Sequence, residues 1–161
     1  MDFIKKVQEI ERHFPLKDYT TTSKMCLEIV EQVLRDVLQH QGARLGEAVQ
    51  LRIREAENFI GRGETQLDQF SLWQLIGVFR KARVVDAWEL ASGRELSGIR
   101  LMNLDELPRL RKKFFQDQKP ATRTEAELLL YCVHVLGETF ELVRTPKFSA
   151  LSLLFSGGEL Q

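Results

Sequence analysis

Between Thr21 and Gln41 the apolar residues Cys26, Ile29, Val30, Val33, Leu34, Val37 and Leu38 return every third or fourth position. That spacing gathers them on one face of an α-helix, since a helix turns once in about 3.6 residues while a strand alternates faces at every residue. Lys24, Glu28, Glu31, Arg35 and Asp36 fall largely on the opposite side. A stripe this wide must be covered by other elements. The same period recurs in Phe3, Ile4, Val7 and Ile10, and again in Leu45, Val49, Ile53, Ala56 and Ile60. It returns in Leu72, Leu75, Ile76, Phe79, Val84 and Trp88 over 72–91, and in Leu101, Leu104, Leu107, Leu110 and Phe114. A last helix over 125–143 is apolar around most of its girth, through Leu128, Leu129, Leu130, Val133, Leu136, Phe140 and Val143. No stretch alternates strongly enough for a sheet. The expected fold is all-α, a single bundle of five or six helices.

The breaks agree with this division. Pro15 ends the first helix, because proline lacks an amide hydrogen and disfavours helix in the residue before it. Gly42 is read as a C-terminal stop, as are Gly61-Arg62-Gly63 and Gly93. Ser71 is a natural N-cap, and Thr122 to Glu125 has capping-box spacing. The stretch 93–98 reads as a loop, and a fifth helix is expected to begin at Pro108. Residues 1–144 form the bundle domain, and 145–161 form an apolar tail or linker after Pro146.

Charge narrows the functions. The chain has 161 residues, with 23 Lys plus Arg against 23 Asp plus Glu, so it does not bind nucleic acid through a general cationic field. The N-terminus has no apolar signal core, and 128–136 is too short to span a bilayer, so a cytoplasmic protein with no membrane contact is expected. Cys26 and Cys132 sit among apolar residues and read as packed, reduced thiols. His13 and His40 read as helix-end residues, and His134 as a hydrogen-bonded core histidine. No phosphate-binding glycine loop, zinc-binding HExxH or nucleophile-elbow pattern occurs. No metal, cofactor or small-molecule ligand is expected.

The positive charges are nonetheless uneven. Arg109, Arg111, Lys112, Lys113, Lys119 and Arg123 crowd into fifteen residues around Phe114 and Phe115. A smaller group is Arg80, Lys81 and Arg83. Basic residues beside aromatics suit a phosphate backbone and stacked bases. The plainer reading is favoured: the two phenylalanines anchor the core and the charges form a solvated face.

From about residue 18 to 143 the order of features resembles the HEPN superfamily of prokaryotic defence and conflict systems. Cys-Leu-Glu-Ile-Val-Glu-Gln-Val-Leu (26–34) resembles its first bundle helix, and Ser-Leu-Trp-Gln-Leu-Ile-Gly-Val-Phe (71–79) the start of its middle helices. Leu107 to Lys113 occupies the place of its arginine motif, and Ala121 to Glu127 opens the final helix. The resemblance implies a helical bundle and, in active members, metal-independent RNA cleavage by an arginine and a histidine four to six residues apart across a dimer. A cation stabilises the phosphorane while the histidine moves a proton. Here Arg111 matches the arginine, but Lys112 replaces the polar neighbour and Gln116 stands where a histidine is needed. Arg35 and His40 have the spacing on another helix.

The expected function is therefore a non-catalytic interaction or adaptor domain of a bacterial defence or signalling system, dimerising or docking onto an effector. Arg109, Arg111, Lys112 and Lys113, with Leu151, Leu153, Leu154 and Phe155 of the tail, are the expected contact residues. The alternative is a metal-independent endoribonuclease using Arg35 and His40, or Arg111 with an unrecognised base, or an RNA-binding domain using 109–123.

Overall fold

Helix ends leave amides and carbonyls without partners, and short polar side chains in this chain meet them where each helix must begin. In the computed structural model, which describes residues 2–142, the helices are α1 (Phe3–His13), α2 (Tyr19–Asp36), α3 (Glu47–Gly61), α4 (Leu72–Lys81), α5 (Val84–Ser92), α6 (Ser97–Leu101), α7 (Glu106–Arg111) and α8 (Arg123–Thr139). Asp2 accepts the Lys5 amide before α1, and Asp18 accepts the Thr21 amide before α2. Ser71 with Gln74, and Thr122 with Glu125, form reciprocal capping boxes ahead of α4 and α8. All regular structure among the described residues is helical.

Eight helices stand among these residues where five or six were expected. The stretch 72–91 is two helices, broken at Ala82 and Arg83. Arg83 adopts a left-handed φ of 54°, and the Arg52 Nε donates to the Ala82 carbonyl at 3.0 Å, so a tertiary hydrogen bond steadies a break that no glycine or proline announces. Leu96 to Leu101, expected to be loop and loose turn, holds the short α6. Pro108 is the third residue of α7, not the first. Amides of the first turn have no helical acceptor, so proline is tolerated there.

Both α2 and α7 run on into a single wide π turn, at Val37–Gln41 and Lys112–Gln116. The first is closed by the Gly42 amide on the Val37 carbonyl, the second by Asp117 on Lys112 at 2.9 Å. Gly42 is thus not a left-handed stop: its φ is −57°. Its lack of a side chain matters for another reason, since a Cβ there would lie 2.8 Å from the Ile53 Cδ1.

The chain divides into two compact units, residues 2–30 with 109–142, and residues 31–108. In the first, α1 lies on α8, where the Phe3 ring fills the space a side chain at Gly137 would need. His134 on α8 is 3% exposed, with its Nε2 3.3 Å from the Glu11 carboxylate. That contact lacks hydrogen-bond geometry, so this core histidine is buried but not hydrogen-bonded as expected. Cys26 and Cys132 are buried free thiols, as read from sequence. Burial, then the nearby Cys132, pushes the Cys26 thiol up, and burial raises Cys132 to about 11.

In the second unit α3 packs along α4, with Ile60 over Gly77. Val49, Ile53, Ala56, Leu72, Leu75, Ile76, Val78, Phe79 and Trp88 are buried there. The segment before α4 is held by charged side chains. Arg35 donates to the Leu67 carbonyl at 3.3 Å and the Phe70 carbonyl at 3.0 Å, while Glu57 accepts the Leu67 amide at 2.8 Å. No helix among the described residues is long and apolar enough to cross a membrane.

Candidate interaction surface on the basic segment

The π turn after α7 decides which aromatic is core and which is surface. Leu110 and Phe114 are fully buried, whereas Phe115 is half-buried. The plainer reading of the sequence therefore holds for Phe114 and not for Phe115. The Arg111 guanidinium lies 4.5 Å from the Phe115 ring centroid, and the Lys24 ammonium 5.4 Å from it. A cation over a ring face is drawn to the electron-rich π cloud, so each helps hold the other in place. Lys24 belongs to α2, on the side opposite its apolar stripe. No local spacing links it to Phe115, and only the fold reveals the pair.

The six cations of the segment have different fates. Lys113 is bound internally: its Nζ meets both Glu125 oxygens, at 2.8 and 2.9 Å, and the two side chains are only 24% and 15% exposed. Arg123 pairs with Glu127 at 2.8 Å, one helical turn on. Arg109 is exposed, as are Lys112 and Lys119, and these two lysines form no ion pair among the described residues. Lys24 and Arg111 thus lie on the Phe115 ring, and Lys112 and Lys119 are the exposed lysines of the same segment. Lys113, expected as a contact residue, instead braces the α8 capping box.

Burial pushes the Glu125 carboxyl up, but the Lys113 hydrogen bond, the Thr122 amide and the Lys113 charge together outweigh it and leave it below the ordinary range. A lowered carboxyl stabilises the fold above its ordinary titration and loses that contribution as pH falls through the folded value. Lys113→Met is expected to cost about 1–2 kcal/mol at neutral pH. Urea unfolding across acid pH will show a smaller drop in the variant than in the parent.

The residues of the alternative catalytic reading are placed otherwise. The Arg35 guanidinium is given over to the Leu67 and Phe70 carbonyls, and His40 is exposed in the first π turn. Arg111 lies on Phe115. His13 stands 4.0 Å from Asp18. No cluster of three or more His, Cys, Asp or Glu side chains suited to a metal ion occurs among the described residues. In the smaller basic group, Arg80 pairs with Asp105 at 2.6 Å and Lys81 covers the exposed Phe59 ring at 4.3 Å. Leu151, Leu153, Leu154 and Phe155, with the rest of 143–161, lie outside the described residues.

Compared with known families, curated proteins and solved structures, the chain matches no family model, no curated protein and no structure.

Proposed function

We propose that the chain is a non-catalytic helical interaction domain of HEPN-like type, serving as an adaptor that docks onto an effector in a bacterial defence or signalling system. The observation that carries this reading is the ring of Phe115 flanked by Lys24 and Arg111, with Lys112 and Lys119 of the same segment exposed and in no ion pair among the described residues. A half-buried aromatic flanked by two cations suits an acidic protein surface: the ring supplies desolvated area, the charges supply steering and register. Arg35, with its guanidinium on two backbone carbonyls, serves the fold rather than a scissile phosphate. Gln116 cannot titrate, so the basic segment has no proton-transfer group at the family's position. A stacked base would also have to compete with Arg111 for the Phe115 ring.

The test is co-expression with the proteins encoded beside it, followed by light scattering of the purified complex. The double variant Lys112→Glu/Lys119→Glu, at two exposed positions, is expected to weaken the complex at least tenfold, about 1.4 kcal/mol, with an unchanged melting temperature. Cleavage of structured RNA in EDTA that disappears in His40→Ala overturns the adaptor reading. Salt-sensitive RNA binding that weakens in Lys112→Ala, with no protein complex formed, replaces it with the RNA-binding one.

A further inference from the structure

The second unit holds a cleft of about 540 Å³ that the adaptor reading does not use. Three structural elements wall it: the first π turn, α3, and the short 3-10 turn at Leu67–Gln69. The walls are fixed without a ligand. Glu57 holds the Leu67 amide, Arg35 holds the Leu67 carbonyl, and Gly42 lets the π turn approach Ile53. A preformed concavity of this size is in the range that small molecules occupy.

Its lining is an unusual mixture. Leu38, Ile53 and Leu67 are buried apolar residues. The charged groups are Arg54, Glu57 and Asp68. Arg54 and Asp68 are exposed and make no ion pair or hydrogen bond through their side chains among the described residues. Glu57 uses Oε2 for the Leu67 amide and keeps Oε1 without a partner among the described residues. Gln39, Gln50 and Gln66 add three side-chain amides without hydrogen bonds among the described residues. The adjoining Gln41 leaves a buried Oε1 unsatisfied, and π turns often stand at binding sites.

We propose that this cleft binds a small zwitterion of the amino-acid or dipeptide kind, its carboxylate on Arg54 and its ammonium group on Asp68 and Glu57. The charge count argues against a phosphate dianion, and the presence of both signs favours a ligand that carries both. One guanidinium against two carboxylates gives the lining a net negative charge, so a phosphate dianion would meet repulsion that a single arginine does not offset. A ligand carrying one negative and one positive group matches both signs. The glutamine amides can each donate to and accept from a peptide bond. An apolar side chain has Leu38, Ile53 and Leu67 to rest on.

The experiment is an amide NMR titration of the full chain with leucylglycine, its N-acetylated form, its C-terminal amide, free leucine and inorganic phosphate. Leucylglycine or leucine is expected to shift residues within 38–68. Blocking either end should weaken binding at least tenfold. Arg54→Gln, at an exposed position that leaves folding intact, should lose the same factor and become indifferent to amidation. Asp68→Asn should likewise reduce the penalty for acetylation. Leucine binding as tightly as the dipeptide identifies a free amino acid as the ligand, and tighter dipeptide binding identifies a short peptide. Shifts absent with every probe, equal for blocked and free forms, or strongest with phosphate overturn the proposal.

Discussion

Phe114→Ala is expected to remove about 3–5 kcal/mol from the folding free energy, because the ring is fully buried and its loss leaves a cavity. The contrast with its neighbour is the informative part. Phe115→Ala removes a half-buried ring and is expected to cost less than about 1 kcal/mol, while weakening any partner that docks on the basic segment. Urea denaturation of both variants measures the first difference, and the co-expression assay the second. Equal destabilisation would show that both rings are core, as the plainer sequence reading held, and would leave the interaction surface without its aromatic centre.

Arg35→Ala is expected to cost about 2–3 kcal/mol, since hydrogen bonds from a charged donor are worth more than neutral ones and two carbonyls lose theirs together. Lysine cannot restore the site, because it lacks the planar fork that reaches both oxygens. His40→Ala, at an exposed position, should stay within about 0.5 kcal/mol. Thermal unfolding of the two variants separates a structural arginine from a catalytic pair. If Arg35 served chemistry, its removal would leave stability near the parent value.

Much of the fold could be read from periodicity and punctuation. The buried stripe of α2 and the π turn after it is the one expected, from Cys26 through Leu38, and both predicted caps at Ser71 and Thr122 form in full. What escaped the sequence were features held by distant partners. The break at Arg83 has a left-handed residue with no glycine, and its support comes from Arg52, about thirty positions earlier. Lys17, Arg62, Gln118 and Glu141 share that backbone region, so turns here are poorly marked by composition. The basic segment was visible as a cluster. Its sorting into bound and outward charges was legible only for Arg123, whose partner Glu127 stands four residues on, since Glu125 and Lys24 act through space. The zwitterion cleft draws its charges from α3 and the turn after it, with no motif in sequence.

The two π turns change how a spacing in this sequence should be counted. A π turn takes one more residue to come round than an α turn. Arg35 to His40 crosses one of them, and Arg111 to Gln116 crosses the other. Five positions along either window therefore sweep less rotation than five positions of α-helix. A motif defined on regular helix, four to six residues from arginine to histidine, points its second residue in another direction here. Relatives of this chain are better sought with a one-residue gap allowed after positions 36 and 111.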